Sequence, residues 1–221
     1  MGMKNGLNIS NYYILYKITI KECILQMSLF LKKILIGFSL IFRLGSEEEE
    51  TEVNLSGEKL ERANYLAEMC IEHWEEYGCL PSVCIAQAVL ESSLGDICYP
   101  NNYWGLYGGY RSYDTLEDGV YAYMGLINDY YSHATYILDY EEQIEQIYYG
   151  GYCTSGYEYV TNVIWIIESY NLDYYDQLLF EKLEREKLID LFSNTFNSFM
   201  NTIFDFLRDN SELIELLNLI L

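Results

Sequence analysis

The chain has 221 residues, with Lys+Arg 13 against Asp+Glu 34 and a formal net charge of -21 at pH 7. That balance excludes a nucleic-acid binder working through phosphate contacts, which needs clustered Lys and Arg to release counterions; between Ala63 and Glu181 the only Lys or Arg is Arg111. With 51% hydrophobic residues, 16% aromatic and two prolines, the sequence can build a core and is neither disordered nor collagen-like.

Residues 1–44 form a basic head in which Lys4, Lys17, Lys21, Lys32, Lys33 and Arg43 face one acid, Glu22. Lys32-Lys33 precede the apolar run from Ile34 to Phe42, the layout of a charged region followed by the hydrophobic region of an export signal. The run is too short to span a bilayer. An amphipathic or core helix is the competing reading, and Met27 is an alternative initiator. Residues 45–55 contain Glu47 to Glu50 and Glu52, a self-repelling linker.

A domain is expected over 56–176. Its first helix starts at an N-cap Ser56 and buries Leu60, Ala63, Leu66, Ala67, Cys70, Ile71 and Trp74 at helical spacing before ending near Tyr77-Gly78. A second runs from Pro81 to about Ser93, with Gly95 just beyond its end. A glycine-rich, aromatic loop follows from Asn101, and Tyr103 to Tyr113 holds the one candidate hairpin. Further helices are expected over about 115–130, 141–149 and 157–170, with Asp114 and Thr115 as N-cap residues and Glu117 and Asp118 as first-turn acids. Residues 177–221 form a helical extension whose Leu and Phe stripe reads as a helical hairpin, packing on the domain or on a second copy of the chain. Its acidic polar face disfavours a membrane-surface helix.

The second helix carries the chemistry. Val83, Cys84, Ile85, Ala86, Ala88, Val89 and Leu90 surround it with apolar side chains, so it is a buried helix. Gln87 and Glu91, four residues apart, share one polar stripe. Glu91 also lies in the last turn, at the negative end of the helix dipole; burial and dipole together raise its pKa. A carboxylic acid that stays protonated near neutral pH is what a general acid requires to protonate a leaving oxygen.

Three ordered motifs, Ala86-Gln-Ala-Val-Leu-Glu91-Ser-Ser-Leu-Gly95, Asn101-Asn-Tyr-Trp-Gly105 and Tyr110-Arg-Ser-Tyr-Asp-Thr-Leu-Glu-Asp-Gly119, closely resemble the glucosaminidase domain of glycoside hydrolase family 73. The segments Tyr131 to Ala134, Gly151 to Tyr159 and Val163 to Tyr170 are similar to the family's closing segments, so the likeness covers about residues 57–176. The resemblance implies a mainly α, lysozyme-like fold with a reduced β-lobe, here followed by C-terminal amphipathic helices. It also implies cleavage of the β-1,4 bond after N-acetylglucosamine in the glycan strands of bacterial peptidoglycan.

Carried over by motif, Glu91 is the family's general acid, and Asn101, Asn102 and Gly105 match the loop that shapes the cleft floor, with Trp104 between them an expected substrate-binding residue. Gln87, Arg111 and Tyr152 join them as expected substrate-binding residues. Tyr152 and Tyr159 both fall where the family places a cleft tyrosine, with one extra residue in this chain; Tyr159 is taken as catalytic and Tyr152 as a substrate contact. The family's Gly-Trp is replaced by Ser93-Leu94, and five residues separate Gly105 from Arg111, which removes most of the lobe that often bears a second carboxylate. Asp114, Glu117 and Asp118 are the local candidates for that role, but they read as cap and first-turn acids, so the expected mechanism is one in which the substrate's own 2-acetamido group acts as nucleophile.

Cys70, His73, Cys79, Cys84 and Cys98 match no zinc spacing, and no metal or cofactor is expected. Scattered helical cysteines are usually small buried hydrophobes, and disulfides would form only on export. His133 reads as a loop or capping residue. The rival functions are an inactive wall-binding module and a phage virion, tail or lysis protein built on the same domain. The expected location is accordingly secreted or wall-associated, or in a phage particle.

Overall fold

The computed structural model describes residues 21, 25, 27–37 and 53–209, which are mainly helical with no strand among them. They belong to two compact units, residues 48–182 and residues 1–47 with 183–221.

In the larger unit, α1 spans Glu58–Glu72 and buries Ala63, Leu66, Ala67, Met69 and Cys70. Its N-cap is Gly57, at φ 57, rather than the expected Ser56. The helix breaks at His73, and the short α2, Trp74–Tyr77, carries the chain on to a left-handed Gly78. A Cβ at Gly78 would lie 2.5 Å from the Tyr136 backbone nitrogen, so close approach as well as positive φ requires glycine there.

Helix α3, Pro81–Ser92, is buried from Pro81 through Ala88 and packs against α1 and against α6, Glu158–Tyr170. Its amino end has no local side-chain cap, yet it lies inside the protein. Two groups from elsewhere satisfy it: Gln143 Oε1 accepts from Leu80 N at 2.9 Å, and Asp176 Oδ1 accepts from Ser82 N at 2.9 Å. Orphan amides of a buried helix end would otherwise cost about 1–3 kcal/mol each. The carboxyl end stops at Ser93, left-handed at φ 55. Beyond it Asp96 pairs with Lys59 at 3.1 Å and Arg62 at 2.8 Å, fastening this turn to α1.

The segment expected to hold a hairpin has none. It forms a 3-10 turn, Leu106–Gly109, in which Tyr107, Gly108 and Gly109 have positive φ. The Asn102 amide takes the place of a strand ladder: Oδ1 accepts from Leu106 N at 2.8 Å, while Nδ2 donates to Leu106 O at 3.1 Å and Arg111 O at 2.9 Å. Helix α4, Leu116–Tyr130, then begins with a capping box between Thr115 and Asp118. Its Gly119 abuts the loop, since a Cβ there would sit 2.0 Å from Asn101 O. A turn at Ser132–Ala134 leads to α5, Tyr140–Tyr149, which Asp139 caps, and α6 follows. His133 contacts Gln146 O at 3.0 Å within this corner.

Helix α7, Asp173–Asp209, runs through position 176/177, where a domain boundary was expected. The expected hairpin is, over the described residues, this single helix; no glycine or proline occurs after Gly156 to stop it. Tyr175, Asp176 and Leu179, on its first turns, are buried in the larger unit. In the smaller unit residues 27–37 are helical, and Phe30 stacks on Phe199 at 4.5 Å beside Phe192 and Phe196. Residues 38–42 of the candidate export segment, the acidic tract 47–52 and the apolar segment 213–221 lie outside the described residues. No described helix is long and apolar enough to cross a membrane.

Candidate active site

The last turn of α3 brings Leu90 and Glu91 to an open cleft of about 690 Å3, a size suited to a ligand of a few rings. Trp104 to Gly108 line one side; Tyr152 to Ser155 with Glu158, Tyr159 and Asn162 line the other. No Lys or Arg lines it. A second groove of about 440 Å3 is also lined by Glu91 and Gly105, and is bordered by Ile97, Cys98 and Tyr99. Glu91 therefore lines both grooves.

The expectation that Glu91 is buried with the rest of its helix needs correction: the side chain is solvent-accessible in the cleft. The walls nevertheless enclose its carboxyl enough for desolvation to push the pKa up, against the opposing pull of a hydrogen bond from Tyr159. The Tyr159 hydroxyl donates to Glu91 Oε1 at 3.2 Å. The other oxygen, Oε2, faces Gly105, where a Cβ would approach it to 3.9 Å. One oxygen is thus held by the protein, and the other looks onto the bare backbone of the cleft floor.

Tyr159 is 6% exposed, and burial next to the Glu91 charge drives its phenol far above the ordinary range, so it is a permanent donor. Its oxygen in turn accepts from Gln87 Nε2 at 2.9 Å, and Gln87 Oε1 accepts from the Tyr123 hydroxyl at 2.5 Å. Gln87 was expected to bind substrate. It is fully buried, with both ends of its amide engaged beneath the cleft, and so touches no ligand.

Other expected contacts divide in the same way. Gly105 lines both grooves, and Trp104 and Tyr152 line the larger one. Trp104 is 2% exposed, donates from Nε1 to Cys84 O at 2.9 Å and stacks on Tyr123 at 4.5 Å. Tyr152 packs between Tyr131 and Tyr159 at 5.7 and 6.0 Å, and burial raises its phenol as well. Asn102, 1% exposed, spends its amide on the loop instead of on sugar, and Asn101 Nδ2 donates to Tyr113 O at 2.9 Å. Arg111 lies 5.0 and 5.2 Å from the ring centres of Tyr107 and Tyr113, a cation–π arrangement outside the cleft lining. Asp114 and Glu117 are exposed and outside that lining too, while Asp118 is committed to the capping box. The second carboxylate that does line the cleft is Glu158, in the first turn of α6.

Tyr123 and Glu158 were not singled out in the sequence. Tyr123 keeps phase with buried Val120, Met124 and Ile127, which marks it as inward-facing, but one of 24 tyrosines carries no further sign. Among the described residues no group of His, Cys, Asp and Glu is placed to hold a metal. Cys70, Cys79, Cys84, Cys98 and Cys153 are free thiols, the first three buried.

The frame is mainly helical, consistent with a lysozyme-like fold, and it presents one carboxyl of raised pKa to an open cleft lined by aromatic side chains. Residues 67–172 match the family model described as Glucosaminidase: Mannosyl-glycoprotein endo-beta-N-acetylglucosaminidase, and the domain belongs to that family. It is a glycoside hydrolase, in a family of peptidoglycan hydrolases. No curated protein and no solved structure matches the chain.

Proposed function

We propose that the protein hydrolyses the β-1,4 bond after N-acetylglucosamine in peptidoglycan glycan strands, with Glu91 as general acid and the substrate's 2-acetamido group as nucleophile. The observation that carries this reading is the division of labour at Glu91: Oε1 accepts from Tyr159, and Oε2 faces the cleft at Gly105. With the proton on Oε2, Glu91 protonates the glycosidic oxygen as the C1–O bond breaks. The acetamido oxygen closes on C1 from the other face, giving an oxazolinium ion, and the leaving chain departs as an alcohol. Water then adds to C1, losing its proton to the Glu91 carboxylate, and the ring opens to restore the acetamide.

The absence of Asp114 and Glu117 from the cleft lining supports substrate assistance over a two-carboxylate mechanism routed through them. Glu158 is the remaining rival as a second acid. A cleft without cations suits an uncharged sugar backbone, and the stem peptides' carboxylates are best accommodated outside it. Because the substrate lies outside the cytoplasmic membrane, this reading entails a secreted or wall-associated protein, or one carried by a phage particle.

The test is digestion of purified peptidoglycan, with the new reducing ends identified by mass spectrometry after borohydride reduction. Reduced N-acetylglucosamine ends support the proposal; reduced N-acetylmuramic acid ends make the enzyme a muramidase, and no new ends make the domain a wall binder.

A further inference from the structure

A row of buried polar groups runs beneath the cleft, and only its last member, Tyr159, lines the cleft itself. Cys79 Sγ is 3.8 Å from the Tyr123 oxygen, Tyr123 reaches Gln87, Gln87 reaches Tyr159, and only Tyr159 reaches Glu91. Tyr123 and Gln87 are fully buried, and Cys79 is 1% exposed. A glutamine amide in such a place has two orientations with opposite consequences. With Oε1 toward Tyr123, its NH2 faces Tyr159, whose own proton is then free to point at Glu91. With the amide reversed, Tyr159 would donate to Gln87 and present only lone pairs to Glu91. The catalytic proton would then be drawn onto Oε1, away from the cleft.

Tyr123 decides between the two. Burial keeps the Cys79 thiol protonated, so its S–H serves as a weak donor to the Tyr123 oxygen, and the Tyr123 proton is directed onward to Gln87 Oε1. The ring cannot turn away, because it is stacked under Trp104, itself tied to Cys84 O. Every link therefore donates in one direction, toward the acid, and chains of this kind reinforce one another in a low-dielectric interior.

We propose that Gln87 and Tyr123 are positioning residues for glycoside hydrolysis: they fix the direction of the Tyr159 hydroxyl, which occupies Glu91 Oε1 and leaves the transferable proton on Oε2. The proposal rests on the reading of Glu91 as general acid. The titratable groups around Glu91 are Tyr159 and Glu158 from α6, Tyr152 and Cys153 from the loop before it, Tyr131 from the end of α4, Tyr107 from the loop after Gly105, and Cys98 and Tyr99 in the second groove. Tyr123→Phe leaves every one of these side chains in place, and its hydrogen-bonded route to Glu91 runs through Gln87 and Tyr159, so a change in the acid's titration reports on that row.

Tyr123→Phe removes one hydroxyl and keeps the stacked ring. Loss of the fixed amide deprives Glu91 of a donor to its charged form, so the alkaline limb of the kcat–pH profile moves to higher pH. At the same time the acid is misdirected and kcat falls, by on the order of tenfold or more, with KM nearly unchanged on soluble uncrosslinked glycan strands. In a Tyr159→Phe background the same substitution has no further effect on either quantity, because its influence passes through Tyr159. Should Tyr123→Phe unfold, Gln87→Leu takes its place in the double-mutant comparison, where its loss of kcat disappears in the Tyr159→Phe background. An unmoved pH limb in Tyr123→Phe, a change confined to KM, or equal losses in both backgrounds overturns the proposal. Glu91→Gln run alongside separates the two levels. If that variant turns over normally, the reading of Glu91 has failed; if it is inactive while Tyr123→Phe behaves as wild type, only the positioning role has failed.

Discussion

Asp176 is a carboxyl placed where a charge is costly. It is 3% exposed on the first turns of α7, accepting from Ser82 N at 2.9 Å through Oδ1 and from Ser82 Oγ at 2.5 Å through Oδ2. Burial pushes its pKa from 3.8 up to about 7; the two hydrogen bonds from Ser82 resist that rise, and nearby Asp173 adds to it. The native value lies above the unfolded one, so the group's contribution to stability is complete below pH 4 and is lost as pH rises toward 7. At about 1.4 kcal/mol per pH unit, the loss between those limits is on the order of 4 kcal/mol. Asp176→Asn keeps an acceptor for Ser82 N and turns the second contact into a donor to Ser82 Oγ, with no proton to lose. Thermal denaturation of both forms from pH 4 to pH 8 should give similar Tm values at the acid end, with the variant ahead by roughly 10 °C at the alkaline end. The difference is diagnostic because self-repulsion in so acidic a protein lowers the Tm of both forms together. Parallel curves across that range would refute the reasoning, since they would show that Asp176 ionises freely in the folded protein.

Gly119→Ala drives a Cβ to 2.0 Å from Asn101 O, and since neither backbone can yield cheaply, the variant should lose about 1–3 kcal/mol in calorimetry together with most of its turnover. Trp104→Ala removes the ring stacked on Tyr123 and the bond to Cys84 O; a destabilisation of about 3–5 kcal/mol by urea titration is expected. Glu158→Gln leaves turnover within roughly tenfold of wild type if the acetamido group is the nucleophile, whereas a loss of about 100-fold or more in the folded variant would make Glu158 a second catalytic acid.

Much of the frame could be read from local chemistry. Pro81 announced the start of α3, Thr115 with Asp118 the start of α4, and the apolar residues from Val83 to Ala88 the depth of α3 in the core, whereas Val89 and Leu90, expected to be as deep, are half-buried. The same reasoning placed Glu91 at the end of a buried helix, where the structure has it. It misjudged Gln87 because residues four apart share a helix face, yet here one of the pair lies under Tyr159 and the other opens to solvent. The difference is set by α6 and α4, brought in from 36 and more residues away. Asn102 likewise looked like a sugar ligand, and only the tertiary turn of the loop shows its amide to be consumed by Leu106 and Arg111. Glu158 gave no local sign, since a first-turn glutamate is ordinary, and the cleft that it borders exists only once α6 packs on α3. In α7 the Leu and Phe stripe gave the period but no end, because nothing in that sequence stops a helix.

Proton donation by Glu91 is tested most directly by changing how much the leaving group needs a proton. Wild type and Glu91→Gln should be compared on glycan strands and on an N-acetylglucosamine oligosaccharide carrying a dinitrophenyl leaving group, whose anion departs unaided. The variant should lose about 100- to 10,000-fold on the strands and recover most of that loss on the activated substrate. An equal deficit on both substrates would contradict the account, because Glu91 would then be needed for something other than giving up its proton.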